Sequence, residues 1–127
     1  MAKYWLVMLG GAFGAVSRFV VGTLLGKWST LFPLGTFLIN VTGSFLIGML
    51  MMLFINRPSI SPNWRLFLVT GILGGYTTFS SFEWETFAAL RSGAGIIAFS
   101  YVLLSVVAGL LGVWFGAALS SRFWPHS

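Results

Sequence analysis

Apolar and polar positions do not alternate along this chain; they fall into long apolar runs parted by short polar stops. The first run extends from Tyr4 to about Gly26 and stops at Lys27, Trp28 and Ser29. The second runs from about Phe32 or Leu34 to Ile55 and ends at Asn56, Arg57 and Pro58, a polar stop with a helix breaker. The stretch from Ser59 to Asn63 is the longest polar loop. The third run spans about Trp64 to Leu90 and the fourth about Gly93 to Leu119, with a tail from Arg122 to Ser127. A helix crosses the hydrocarbon core with about 20 largely apolar residues, so each run is long enough. The pattern predicts an all-α integral membrane protein of four transmembrane helices in a single domain, residues 1–127. Trp5, Trp28, Trp64 and Trp124 fall near the predicted ends, where amphipathic rings favour the membrane interface.

Composition narrows the class. Of 127 residues, 57% are hydrophobic and 7% charged, against about a quarter charged in a soluble domain. Mean hydropathy is +0.95. A domain this small has too much surface to hide so many apolar side chains from water, and the same composition excludes disorder. Cysteine is absent, which removes disulfides and thiolate metal sites. The net charge of +5 comes from scattered single cations, as a membrane surface requires, and does not point to nucleic acid. The first run lacks an Ala-x-Ala-like end and reads as a retained helix. Four spans place Lys3, Arg57, Arg65 and Arg122 on one side and Lys27 and Arg91 on the other. That weak asymmetry fits cytoplasmic termini, or insertion in both orientations with head-to-tail pairing. Glycines cluster in the first, second and fourth spans, where they let helix backbones approach closely. A bundle this thin has little interior, so an ion path is more easily built where two subunits meet.

Polar groups inside apolar spans carry the candidate chemistry. Arg18 lies well inside the first span; it either anchors another helix or draws anions into a vestibule, and the two roles are compatible. Thr36, Asn40 and Gly43 share a helix face, continued by Ser44. The Asn40 amide either makes an interhelical hydrogen bond or replaces part of an anion's hydration shell. The third span holds Gly74, Gly75, Thr77, Thr78, Ser80 and Ser81, a composition that suits a helix break buried in protein. A break exposes carbonyls to cations and helix N-termini to anions. Phe79 and Phe82 share a face; they either pack against lipid or a neighbouring helix, or offer positive ring edges that meet an anion without trapping it. Glu83 and Glu85 are the only acids and are candidates to pair with Arg18 or Arg91. Tyr101 and Ser105 line one face of the fourth span, continued by Gly109. The sole histidine, His126, sits in the tail, and neither a nucleophile with its base nor a metal-ligand cluster is visible, which argues against an enzyme.

These segments resemble the small bacterial fluoride channels, the CrcB or Fluc family. The resemblance covers nearly the whole chain and rests on Gly14 to Arg18, on Gly35 to Gly43, and above all on Thr70 to Phe82. It implies a passive fluoride exporter of the bacterial inner membrane, built as an antiparallel, dual-topology homodimer with a broken third helix and two pores. It also implies a central structural sodium ion held by carbonyls, matched here by Gly74 and Thr77. The implied fluoride path includes Asn40, Phe79, Phe82, Tyr101 and Ser105, with Thr36 and Ser80 counted among its hydroxyls and Arg18 at the vestibule. Where some relatives carry a further serine this chain has Gly109, and Glu83 stands where many carry serine. No obligatory partner protein is implied beyond a second copy and the lipid. The main alternative is a proton-coupled small multidrug exporter, which needs an acid in the first span; that span has Arg18 and no acid. A non-transporting assembly protein is the second, with the same polar residues serving as packing devices.

Overall fold

The computed structural model describes residues 1–126, and these are helical with short connections. Helix α1 is Ala2–Leu25, extended by a 3-10 turn over Gly26–Trp28. Helix α2 is Leu34–Asn56. The third span is divided into α3, residues 62–76, and α4, Phe79–Arg91, with Thr77 and Thr78 extended between them. Helix α5 is Gly95–Phe123. Three helical segments, Ala2–Trp28, Leu34–Asn56 and Gly95–Phe123, are each long and apolar enough to cross a membrane unbroken. The fourth crossing falls to α3 and α4 together.

Most boundaries lie within a few residues of those the pattern predicts. Two differ more. Helix α5 continues to Phe123, which places Arg122 in its last turn rather than in a tail. There a cation faces the partial negative charge of the helix C-terminus. The polar loop after α2 is also shorter than expected, because Ser61 caps a new helix by accepting from the Asn63 N–H, with Pro62 in the first turn. Gly93 forms the turn into α5 with φ +82°, a conformation open to glycine at no steric cost.

Packing is inverted relative to a water-soluble protein. The buried positions of α1 are Gly10 and Gly14, and those of α2 and α5 include Gly43, Gly48 and Gly116. Large side chains such as Phe13, Phe19, Phe99 and Leu110 point outward. Lipid solvates those side chains, so close backbone contact is what holds the helices. Gly10 of α1 faces Gly71 of α3, Gly14 faces the Ile72 backbone, and Gly75 faces Gly11: a Cβ on Gly10 would lie 2.5 Å from the Phe67 carbonyl oxygen, and one on Gly75 2.5 Å from that of Gly11. Between α2 and α5, a Cβ on Gly116 would meet the Phe45 carbonyl and one on Gly48 that of Val113. Residues Leu66–Leu73 of α3 wind as a π-helix. This wide winding presents the Phe67, Gly71 and Ile72 backbone to the glycine face of α1. The result is two tight pairs, α1 with α3 and α2 with α5, with the break between them.

Candidate functional site

The site is built around Thr77 and Thr78. Their backbones are extended, at φ −78°, ψ 157° and φ −149°, ψ 116°, a conformation that β-branched residues favour. Each hydroxyl serves one flanking helix. Thr77 Oγ1 donates to the Leu73 carbonyl at 2.9 Å, closing the end of α3. Thr78 Oγ1 accepts from the Ser81 N–H at 3.2 Å, capping the start of α4. Thr78 is otherwise gripped by α2. Asn40 Oδ1 accepts from the Thr78 N–H at 2.8 Å, and Asn40 Nδ2 donates to the Thr78 carbonyl at 3.0 Å. The asparagine amide thus supplies the peptide partner that the broken helix lacks.

This pairing frees two carbonyls. The amide four residues beyond Gly74 is that of Thr78, and it donates to Asn40. The amide four residues beyond Thr77 is that of Ser81, and it donates to the Thr78 hydroxyl. Both α-helical partners are therefore diverted, and the Gly74 and Thr77 carbonyls are the donor type a monovalent cation requires. Among the described residues no group of three or more His, Cys, Asp or Glu could hold a metal. A cation here would rest on backbone oxygen, and the Gly74 and Thr77 carbonyls fit sodium in that respect.

A cleft of about 430 Å³ runs beside the break, lined by Asn40, Gly43, Gly74, Thr77, Thr78, Phe79, Phe82 and Ser105 among others. Phe79 is 74% exposed, whereas Phe82 is buried with its ring 5.0 Å from that of Tyr101. The two phenylalanine rings lie 6.0 Å apart. Ser105 is among the residues lining the cleft, and its Oγ, itself buried, has no hydrogen-bond partner. Asn40 retains one amide hydrogen beyond the one given to Thr78. Ser80 is exposed on α4 and lines neither this cleft nor the next.

Thr36 and Tyr101 sit apart from this cleft's wall, on an acid. Glu85 accepts from Thr36 Oγ1 at 2.6 Å and from the Tyr101 hydroxyl at 2.7 Å, joining α2, α4 and α5. The sequence offers Arg18 or Arg91 as its partner; two hydroxyls take that place. A second cleft, of about 510 Å³, contains Arg18, Thr36, Ser81 and Glu85 and reaches Thr78. Thr78 therefore lines both clefts. Its central position and the Glu85 clamp escape the sequence reading, where Thr78 is one hydroxyl in a run and Glu85 one of two acids. The signal that could have found the clamp is the scarcity of acids, since a part-buried carboxylate in an apolar span must gather donors.

Apolar helices, one broken beside polar clefts that carry amide, hydroxyl and aromatic groups, define a small multi-pass membrane protein with the features of an ion path. The family described as CrcB-like protein, Camphor Resistance (CrcB), matches residues 5–117, and the chain belongs to it. Among curated relatives, a Fluoride-specific ion channel FluC of Solibacter usitatus is 50% identical, over 94% of this chain and 99% of the relative. One of the same name from Acidobacterium capsulatum is 46% identical, over 94% of this chain and 97% of the relative. Another from Rhizobium meliloti is 45% identical, over 90% and 92%.

Proposed function

We propose that the chain is the subunit of a fluoride-specific ion channel that lets fluoride leave the cell passively, and that it performs no enzymatic reaction. The observation that carries this reading is the cleft at the helix break, whose lining gathers Asn40 from α2, Phe79 and Phe82 from α4 and Ser105, with its unpartnered hydroxyl, from α5. The names of the relatives supply the anion.

The physics of the cleft suits a small, strongly hydrated anion. Such an ion enters a narrow path only if each lost water is replaced. Amide N–H, hydroxyl and positive ring edges replace water weakly and in succession, which permits exit as well as entry. The first turn of α4 adds unpaired backbone N–H groups and the partial positive charge of a helix N-terminus. Arg18 in the second cleft raises the local anion concentration without standing in the path. Hydrogen fluoride enters from acidic surroundings and dissociates in a neutral cytoplasm, leaving the anion trapped. A negative interior then drives it out, with about 2.3 kcal/mol per charge per 100 mV.

The working unit on this reading is an antiparallel, dual-topology homodimer in the bacterial inner membrane. Support comes from the near balance of flanking cations and from the outward position of Phe79, an aromatic ring beside the cleft that one subunit leaves uncovered. The Gly74 and Thr77 carbonyls of both copies would hold the central sodium ion, which supplies a fixed positive charge tying the two breaks together. Replacement of Phe79 or Phe82 by Ile tests the path. Fluoride efflux from proteoliposomes should fall while the protein still elutes as a dimer; unchanged efflux in both variants would remove the rings from the path.

A further inference from the structure

We infer that Gly43 is a positioning residue for the anion path: by lacking a side chain it seats the Thr77 methyl and sets how the helix break rests on α2. This rests on the channel reading of the same cleft and names a residue that governs its shape. Asn40 and Gly43 stand one turn apart on α2 and meet consecutive residues of the break. Asn40 grips the Thr78 backbone through two hydrogen bonds. Gly43 is buried and receives Thr77. A Cβ added to Gly43 would collide with Thr77 Cγ2, whereas its next neighbours, Tyr76 Cδ1 and Thr77 Cβ, would lie at 3.5 and 3.7 Å, ordinary contact distances. The obstacle is thus a single methyl group. That methyl cannot simply swing aside. Thr77 is β-branched and stiff at χ1, and its hydroxyl is held by the Leu73 carbonyl at 2.9 Å, so rotation would break that bond. The remaining escape is to push the break off α2, which pulls Thr78 from Asn40 and turns the freed carbonyls and the first turn of α4.

A double-mutant cycle tests this. G43A should lower fluoride efflux per assembled protein by roughly tenfold. In the T77S background, where the methyl is gone and the hydroxyl remains, the same substitution should change efflux by less than about twofold. The side-chain amide signal of Asn40 in ¹⁵N spectra should move in G43A and return in G43A/T77S, a response that generic loss of packing would not give. If G43A fails to assemble, recovery of assembly in G43A/T77S supports the inference. An equal loss in both backgrounds, or a G43A variant with native efflux and native Asn40 signal, overturns it. Wild-type protein that passes no fluoride would overturn the channel reading instead, and the Asn40 signal would still decide the role of Gly43.

Discussion

Replacing Asn40 by Ala removes both hydrogen bonds that hold the helix break, 2.8 Å from the Thr78 N–H and 3.0 Å to the Thr78 carbonyl. Thr78 is only 7% exposed, so neither group finds water freely. In soluble proteins a buried polar group stripped of its partner costs about 1–3 kcal/mol. Interhelical hydrogen bonds in membranes average about 0.6 kcal/mol and reach about 1.7 kcal/mol, because the chain finds other partners there. Here one alternative partner is evident: the Thr78 N–H can return to the Gly74 carbonyl by extending α3 through the break. That recovers one bond at the expense of the extended geometry. For two bonds the membrane figures give about 1.2–3.4 kcal/mol and the soluble ones about 2–6 kcal/mol, so the expected loss is about 2 kcal/mol, within the membrane range and at the foot of the soluble one. Such a loss shifts a broken-to-continuous equilibrium by roughly thirtyfold. Unfolding by sodium dodecyl sulfate in mixed micelles, followed by tryptophan fluorescence, gives the stability change. Amide exchange at Thr78 reports the break itself, and fluoride efflux should fall with it. An N40A protein within about 0.5 kcal/mol of wild type, with native exchange at Thr78, would refute the claim that Asn40 builds the break.

Further consequences follow from the packing and the acid. G116A places a Cβ against the Phe45 carbonyl and 2.9 Å from the Met49 amide nitrogen. Both are backbone atoms, so α2 and α5 must separate, and thermal unfolding in detergent should show about 1–3 kcal/mol of destabilisation; a stability equal to wild type would contradict the packing argument. Y101F deletes the 2.7 Å bond to Glu85 and leaves the carboxylate with Thr36 alone. A lost intramolecular hydrogen bond costs about 0.5–1.5 kcal/mol, so Y101F should unfold at lower denaturant while E85Q/Y101F loses less than the two single changes added together. Additive losses would show that the two groups do not act as a unit. Exchanging sodium for N-methylglucamine on both sides should depress fluoride efflux reversibly if the Gly74 and Thr77 carbonyls hold sodium, and efflux indifferent to sodium would exclude that role.

The parts of this molecule that were legible in the sequence are those set by local composition. Four apolar runs give the helices, because bilayer thickness fixes the length needed. Gly74, Gly75 and the hydroxyls from Thr77 to Ser81 announce the interruption, which falls at Thr77 and Thr78. What stayed hidden is tertiary. Asn40 reads equally as a pore group or a packing group until Thr78, 38 residues away, lies opposite it. Glu85 suggests a cation by charge alone, yet Thr36 and Tyr101 satisfy it from two other helices. The π winding of α3 has no signal in periodicity, because an apolar run reads the same whichever residue four or five positions back accepts each amide. Helix α5 outlasts its expected end because Ser120, Ser121 and Arg122 resemble a polar tail in sequence, while in the fold Ser120 is fully buried. Asn56 then reaches the Trp124 carbonyl at 2.8 Å and ties the end of α5 to α2.

The central claim is that amide, hydroxyl and ring-edge groups at the helix break pass fluoride and reject chloride. Its most direct test is ion release from liposomes carrying the purified protein, with fluoride and chloride loaded together and each followed by its own selective electrode. Fluoride should leave at a rate proportional to the protein content while chloride stays inside. Equal release of chloride, or retention of both ions by correctly assembled protein, would contradict the account.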